Sequence, residues 1–174
     1  MIIWINGAFG AGKTSAAEEL QRRLPGSYLF DPENAGYYIR DNLPQEALFA
    51  DFQDFPMWRS FNYEMLSYLN VKAQGPVIVP MTLVNEKYFD EIVGRLRADG
   101  VIVCHFALIA PPSVLQQRLL GRGEAEGAWP FRQIERCTQA LSRDLFQNPI
   151  DTCHKTTQQV VDDIMLSLGH SFDI

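Results

Sequence analysis

Residues 7–14 have the sequence Gly-Ala-Phe-Gly-Ala-Gly-Lys-Thr, which is a complete phosphate-binding (Walker A) loop. The apolar run at residues 2–5 before it predicts a buried strand, and residues 14–20 after it predict a helix. This order places backbone N–H groups and a helix N-terminus around a polyphosphate. Glycine-rich turns before helices often bind nothing, but the Lys-Thr ending and the flanking elements favour binding. The sequence therefore predicts a nucleoside triphosphate site.

The residue types in this loop predict how a polyphosphate would be held. Glycines expose N–H groups without a clashing Cβ, and Lys13 is expected to reach the β- and γ-phosphates and to act in catalysis. The Thr14 hydroxyl is expected to ligate Mg²⁺, a predicted cofactor. The predicted nucleotide-binding residues are Gly7, Ala8, Phe9, Gly10, Ala11, Gly12, Lys13 and Thr14.

The size and charge of the chain limit its partners. The 174 residues fit one domain, residues 1–174, and the formal charge of -6 argues against a nucleic-acid partner. No apolar stretch reaches the roughly 18 residues that a membrane span requires, and no basic segment precedes the first apolar run. Three cysteines without CxxC spacing are typical of reduced thiols, so we expect a cytoplasmic protein.

Apolar runs of strand length alternate with helical patterns along the chain. Strands are predicted at residues 2–6, 28–30, 77–82, 101–109 and 150–152. Helices are predicted at residues 14–24, 35–42, 58–73, 86–98, 112–120, 132–145 and 156–168. This alternation predicts a three-layer α/β/α fold with a five-stranded parallel sheet, in which ligands bind at the carboxyl ends of the strands.

The presence or absence of acidic side chains after the predicted strands limits the class of nucleotide-binding protein. Asp31 follows the second strand, where a carboxylate could contact the substrate and take the proton of an attacking hydroxyl. The alternative is that Asp31 only caps the following segment, and Glu33 is a second choice for the acid. The third strand ends without an acid and the chain has no Asn-Lys-x-Asp motif, which disfavours motor ATPases and GTPase switches.

Two arginines lie just before and at the start of a glycine-bearing segment that is predicted to form a mobile lid, residues 121–132. Arg118 and Arg122 lie four residues apart on one face of a predicted helix, so both could bind phosphate oxygens during transfer. Arg118 is also a predicted nucleotide contact. The alternative is an ordinary solvated basic face.

Residues 30–68 are rich in aromatic side chains and are a candidate for binding a flat or apolar ligand. Arg40 could bind an acidic group of the substrate, and Trp58 and Arg59 follow a loop and could line the same pocket. The alternative for Trp58 is packing in the core, because the apolar residues of its helix follow helical spacing.

The predicted C-terminal helix is amphipathic. Its polar face carries Asp162 and Asp163, which anionic lipid would repel. Docking on the sheet is therefore favoured over peripheral membrane contact, which stays the weaker alternative.

Several stretches of the chain are distinctive: Ile2-Ile3-Trp4-Ile5-Asn6-Gly7-Ala8-Phe9-Gly10, Asp31-Pro32-Glu33, Asp51-Phe52-Gln53, Pro56-Met57-Trp58-Arg59 and Val79-Pro80-Met81-Thr82. Together they resemble bacterial tunicamycin resistance proteins, a family similar to P-loop small-molecule kinases such as nucleoside monophosphate, shikimate and gluconate kinases and chloramphenicol phosphotransferase. The resemblance implies a nucleotide-kinase-like fold, ATP at the loop, a substrate-facing Asp31, lid arginines at Arg118 and Arg122, and acceptor binding over residues 35–70.

The leading hypothesis is an ATP-dependent phosphotransferase that modifies a hydroxyl of a small nucleoside-like molecule, such as tunicamycin. A second hypothesis is a nucleotide-dependent protein that sequesters the drug without changing it. A third is a housekeeping kinase for a metabolite. The sequence leaves the acceptor and the oligomeric state open.

Overall fold

The sheet is parallel and has five strands in the order β2-β3-β1-β4-β5. The computed structural model describes residues 1–172. Helices flank the sheet, so the predicted fold class is confirmed. The strands are β1 (Ile2–Gly7), β2 (Tyr28–Leu29), β3 (Val77–Pro80), β4 (Val103–Ile109) and β5 (Pro149–Asp151).

The helices follow the predicted order with shifted ends. They are α1 (Lys13–Arg23), α2 (Glu33–Asn42), α3 (Pro56–Lys72), α4 (Glu86–Phe89), α5 (Arg95–Ala98), α6 (Pro112–Gly121), α7 (Trp129–Leu141) and α8 (Thr157–Phe172). A π turn at Asp90–Gly94 joins α4 to α5, and the sequence pattern does not predict it. α7 begins at Trp129 rather than at residue 132, because Pro130 fits the first turn of a helix.

The strand pairing aligns the carboxyl ends of the strands at one edge of the sheet. β1 lies in the centre, pairing with β3 from Ile2 to Ile5 and with β4 from Ile2 to Gly7. Each residue of β1 is buried, as expected for the central strand of a parallel sheet covered on both faces. The phosphate-binding loop and the segments after β2, β3 and β5 therefore meet at that edge, where ligands bind in such sheets.

The apolar face of α8 is covered by the rest of the protein. Val160, Val161, Ile164 and Leu168 are buried, and α8 packs against α1 and β5. Docking on the sheet, the favoured prediction, is what the structure shows for this helix. Among residues 1–172, none of the helices has the length and apolar character that a membrane span requires.

Candidate nucleotide and acceptor sites

The phosphate-binding loop joins β1 to α1 and packs closely against α6. Gly10 has a φ of +84°, and a Cβ at this position would lie 2.9 Å from the carbonyl oxygen of Leu115. Only glycine fits there, because other residues carry a Cβ and avoid positive φ. The glycine pattern thus sets both the shape of the loop and its distance from α6.

Lys13 is folded back onto its own loop. Its Nζ donates a hydrogen bond to the Ala8 carbonyl oxygen (3.1 Å) and lies 5.4 Å from the centre of the Phe9 ring. Burial lowers the pKa of Lys13 to about 8, and the negative charge of Glu33 opposes this shift. A phosphate in the loop would act in the same direction as Glu33 and restore the full charge of Lys13.

A pocket of about 410 Å³ lies beside the loop and is lined by residues 10–12, by Arg118 and Arg122, and by residues 155–158 after β5. The Arg118 guanidinium donates hydrogen bonds to the hydroxyl and the carbonyl oxygen of Thr152, which fixes it against the segment after β5. The structure brings the two predicted arginines to the loop. Their contact with a nucleotide remains a prediction.

The two acids after β2 have different surroundings. Asp31 Oδ1 accepts a hydrogen bond from the backbone N–H of Glu33 (2.9 Å), so Asp31 caps the start of α2. Glu33, rather than Asp31, is the carboxylate that opposes the lowered pKa of Lys13. Asp31 therefore makes the contact that the capping alternative predicts, and its role as the substrate-facing acid stays a prediction.

One face of α2 carries polar groups toward the ring of Phe52, which we call the aromatic wall. Glu33, Tyr37 and Arg40 follow helical spacing on this face. The Tyr37 hydroxyl donates to Glu33 Oε2 (2.8 Å), and this hydrogen bond raises the pKa of Tyr37 to about 12. The Arg40 guanidinium lies 5.0 Å from the centre of the Phe52 ring, and its Nη2 donates to the Ala50 carbonyl oxygen.

Phe52 can form this wall because α2 has a glycine at the contact. A Cβ on Gly36 would lie 2.5 Å from the Phe52 ring, so a larger residue would push the ring away. Phe52 also contacts Tyr37 edge-to-face, with ring centroids 6.2 Å apart. The close approach of α2 to the 3₁₀ turn Phe52–Asp54 thus depends on one glycine.

Asp51 and Arg136 connect this wall to α7. The Arg136 guanidinium lies 3.8 Å from Asp51, whose pKa is raised by burial. Cys137, the next residue of α7, is fully buried, which raises the pKa of its thiol, and the charges of Lys13 and Asp51 also act on this pKa. The contact between Asp51 and Arg136 therefore links the aromatic wall to α7, and we call the region between this wall, α7 and the phosphate-binding loop the acceptor cleft.

Trp58 and Arg59 do not reach this cleft, which corrects their predicted role as substrate contacts. Trp58 is 0% exposed and its indole N–H donates to the Pro32 carbonyl oxygen (2.9 Å). Arg59 is 6% exposed and forms an ion pair with Glu91 of the π turn. Packing in the core, which the helical spacing around Trp58 favours, is therefore the interpretation that agrees with the structure.

The opposite face of α2 lines a second, mainly apolar space of about 700 Å³, which we call the β2 groove. Its lining residues come from β2 and the segment after it, α2 and α3, and include Phe30, Asp31, Tyr38, Met57 and Phe61. Tyr38, Met57 and Phe61 are at least half exposed. Asp31 thus borders the β2 groove, and Glu33 the acceptor cleft.

The segment between α6 and α7 is shorter than the predicted lid. Residues 122–128 are irregular and mostly exposed, whereas residues 129–132 already belong to α7. Trp129 packs edge-to-face on Phe9 of the phosphate-binding loop, with ring centroids 5.1 Å apart. The far end of this segment is therefore docked on the loop, and its movement as a lid remains a prediction.

Sequence reasoning missed several residues of the acceptor cleft. Tyr37, Asp51 and Arg136 lie far apart in the sequence and form no motif. Asp51 belongs to the distinctive stretch Asp51-Phe52-Gln53, which was a usable signal. Arg136 offered none, because one arginine in an amphipathic helix is ordinary.

Comparisons with known proteins identify the family of the chain. The model of the AAA domain family matches residues 2–143. The tunicamycin resistance protein of Deinococcus radiodurans is 36% identical, with 97% of this chain and 95% of that chain covered and a TM-score of 0.80. No curated protein matches the sequence significantly.

More distant solved structures share the fold. A gluconokinase from Sinorhizobium meliloti 1021 has 19% identity, coverage of 98% and 93%, and a TM-score of 0.71. A shikimate kinase from Acinetobacter baumannii has 16% identity, coverage of 98% and 94%, and a TM-score of 0.65. The family match and the 36% identical relative support nucleotide-binding, kinase-like function. The chain belongs to the AAA domain family of P-loop kinase-like proteins and to the family of the tunicamycin resistance proteins.

Proposed function

We propose that the chain transfers the γ-phosphoryl group of ATP to a hydroxyl of a small nucleoside-like molecule. The observation that carries this proposal is Lys13 in the phosphate-binding loop, on whose pKa the charges of both Glu33 and Arg122 act. Arg122 lines the nucleotide pocket beside the same loop. Tunicamycin is the first acceptor to test, because a 36% identical relative is a tunicamycin resistance protein. With ATP as donor, the proposed compartment is the cytoplasm.

The donor half of the proposed mechanism uses the loop and the arginines. The backbone N–H groups of residues 8–14 would bind the phosphates, and Lys13 would leave the Ala8 carbonyl oxygen for the β- and γ-phosphates. Arg118 and Arg122 would bind the nucleotide and balance the negative charge that develops during transfer. Residues 121–132 would close over the nucleotide as a lid.

The oxygen donors near the loop suit Mg²⁺. Thr14 is exposed in the first turn of α1 and would hold the ion through its hydroxyl, with Asp31 or Glu33 contributing through water. Within residues 1–172 no cluster of three or more acidic, histidine or cysteine side chains could hold a metal. When bound, Mg²⁺ supplies charge neutralisation at the phosphates.

The acceptor half uses the polar face of α2. The hydroxyl oxygen of the acceptor would attack the γ-phosphorus and form the new P–O bond, while the bond to the ADP oxygen breaks. Glu33 would take the hydroxyl proton, and Tyr37 would orient its carboxylate through their hydrogen bond. Arg40 would bind an acidic or polar group of the acceptor, which occupies the subregion over residues 35–70.

Mass spectrometry tests this proposal directly. Purified protein is incubated with Mg-ATP and tunicamycin, and then with a panel of nucleoside and sugar acceptors. One added phosphoryl group is expected on at least one of them, and the variants Lys13→Met and Glu33→Gln should lose the product. Absence of any phosphorylated product across the panel would overturn the proposal.

The β2 groove favours a second candidate function, in which the protein sequesters an amphipathic drug without chemistry. Sequestration needs no proton acceptor, so the Glu33→Gln variant distinguishes sequestration from phosphoryl transfer. Resistance that survives Glu33→Gln together with unchanged drug affinity would favour sequestration. Loss of resistance with intact drug binding would favour phosphoryl transfer.

A further inference from the structure

A chain of buried hydrogen bonds connects the aromatic wall of the acceptor cleft to the phosphate-binding loop. Gln53, in the same turn as Phe52, donates through Nε2 to the Thr82 carbonyl oxygen (2.8 Å). The Thr82 hydroxyl donates to the carbonyl oxygen of Gly7, where the loop begins (2.7 Å). Gln53 and Thr82 are 7% and 3% exposed, so water cannot easily replace either bond.

The outer end of this chain is anchored in α3. Arg59 Nη1 donates to the Gln53 backbone carbonyl oxygen (2.6 Å), and the same guanidinium forms the ion pair with Glu91. Asp51 Oδ1 accepts from the Gln53 backbone N–H (3.0 Å). The turn is therefore held from outside through its backbone, which leaves the Gln53 side chain for the contact with Thr82.

The segment after β3 is also fixed to the loop by Asn6. The Asn6 side chain accepts from the N–H of Leu83 (3.0 Å) and of Gly7 (2.9 Å), and donates to the Leu83 carbonyl oxygen (2.8 Å). Thr82 thus lies two residues after β3, in a segment where this chain has no acid. Its hydroxyl donates to the phosphate-binding loop, and its carbonyl oxygen accepts from Gln53 next to the aromatic wall.

We propose that Gln53 and Thr82 are positioning residues that couple the aromatic wall of the acceptor cleft to the phosphate-binding loop. A displacement of the Phe52 turn then changes the loop geometry, and with it the affinity for nucleotide. By thermodynamic reciprocity, nucleotide in the loop changes acceptor affinity by the same factor. This inference rests on the proposed function in one respect, that the loop binds a nucleotide and Phe52 borders the acceptor.

Two variants break consecutive links separately. Gln53→Leu removes the bond to Thr82 and keeps the Arg59 contact, which uses the backbone. Thr82→Val is nearly isosteric and removes only the bond to Gly7. Gln45→Leu, in the exposed 3₁₀ turn Gln45–Ala47, and Thr138→Val, on α7, are the matched controls.

The first readout needs no ligand. Hydrogen–deuterium exchange of the peptide covering residues 7–13 is expected to be about fivefold to tenfold faster in Gln53→Leu and Thr82→Val than in wild type or controls. A role confined to overall stability would lower the melting temperature without singling out this peptide. Loop exchange equal to wild type in folded Gln53→Leu would overturn the inference.

The second readout is nucleotide affinity, measured with a fluorescent ATP analogue. Each variant is expected to bind about fivefold to tenfold more weakly, although Gln53 does not line the nucleotide pocket. The loss of nucleotide affinity in the double variant should be smaller than the product of the two single losses, because both hydrogen bonds belong to one connected series. A fully multiplicative loss would overturn the coupling. Wild-type protein that binds no nucleotide would contradict the proposed function, and the exchange measurement would still decide the inference.

Discussion

Phe9 of the phosphate-binding loop packs edge-to-face on Trp129, the first residue of α7, with ring centroids 5.1 Å apart. The face of the same Phe9 ring carries the Lys13 ammonium at 5.4 Å from its centre. One aromatic ring therefore contacts both the lysine that is expected to bind phosphate and the end of the segment that is expected to close. Any ligand that draws Lys13 away from Phe9 also changes the surroundings of Trp129.

This contact makes Trp129 an optical reporter of nucleotide binding. Trp4 and Trp58 are fully buried away from solvent, whereas Trp129 is half-buried at the loop. We expect Mg-ATP to change the tryptophan emission as Lys13 leaves Phe9. The measurement is a fluorescence titration with Mg-ATP, followed by the same titration with Trp129→Phe. An equal change of emission in the Trp129→Phe variant would show that Trp4 or Trp58, and not Trp129, gives the signal.

The lowered pKa of Lys13 predicts proton uptake on nucleotide binding. The free protein holds Lys13 at a pKa of about 8, below its ordinary value of 10.5, and phosphate charge raises it again. At about pH 8 the site should therefore take up roughly half a proton per nucleotide, falling toward zero at about pH 6, where Lys13 is already charged. Calorimetry in buffers of different ionisation enthalpy measures this number.

Lys13→Arg provides the control for proton uptake, because arginine keeps its charge at every pH of the experiment. Its uptake at about pH 8 should disappear even if nucleotide still binds. Equal uptake by wild type and Lys13→Arg would mean that another group titrates.

The fold was largely predictable because its signals are local. The apolar run at Ile2–Gly7 and the glycine-rich turn after it specify a central strand and a phosphate loop together. Element ends were less predictable: β3 stops at Pro80 rather than at residue 82, because Thr82 and Leu83 bind the loop through side-chain contacts instead of strand pairing.

The site was only partly predictable because its geometry depends on packing between distant elements. Asp31 and Glu33 are both candidate acids in the sequence, and they differ in the structure by the capping bond of Asp31 and by the charge of Glu33 acting on Lys13. Arg59 looks like a binding residue, but a partner distant in sequence, Glu91, buries it in an ion pair. Asp51 and Arg136 are far apart in the sequence, and only the folded structure brings their side chains to within 3.8 Å.

Glu33 and Asp31 can be separated by matched variants. Glu33→Gln keeps the size of the side chain and removes its proton acceptor, so we expect the transfer rate to fall by about 100-fold or more with nucleotide binding retained. Asp31→Asn keeps a capping oxygen, since asparagine caps helices as well as aspartate, and should change the rate far less. Single-turnover assays with Mg-ATP measure both. A larger loss of rate in Asp31→Asn than in Glu33→Gln would instead identify Asp31 as the proton acceptor.

A buried histidine lies beneath the loop. His105 is 1% exposed, with Nε2 3.2 Å from the Asn6 amide nitrogen and Nδ1 3.1 Å from the Gln147 carbonyl oxygen. These contacts fit a neutral ring that donates through Nδ1 and accepts from Asn6 through Nε2. Because Asn6 also binds the N–H of Gly7, a charge on His105 would disturb the start of the phosphate-binding loop.

Burial lowers the pKa of His105 to about 4, so the protein should lose stability in mild acid. Between about pH 6.5 and pH 4 the unfolded chain binds a proton that the folded chain excludes, and the contribution is full only above this range. From about pH 8 to pH 5 we expect the free energy of unfolding to fall by about 2 kcal/mol more in wild type than in His105→Gln. Urea denaturation at both pH values measures the difference, in which the carboxylates common to both proteins cancel. Equal acid sensitivity of the two proteins would show that His105 is already charged or solvated in the fold.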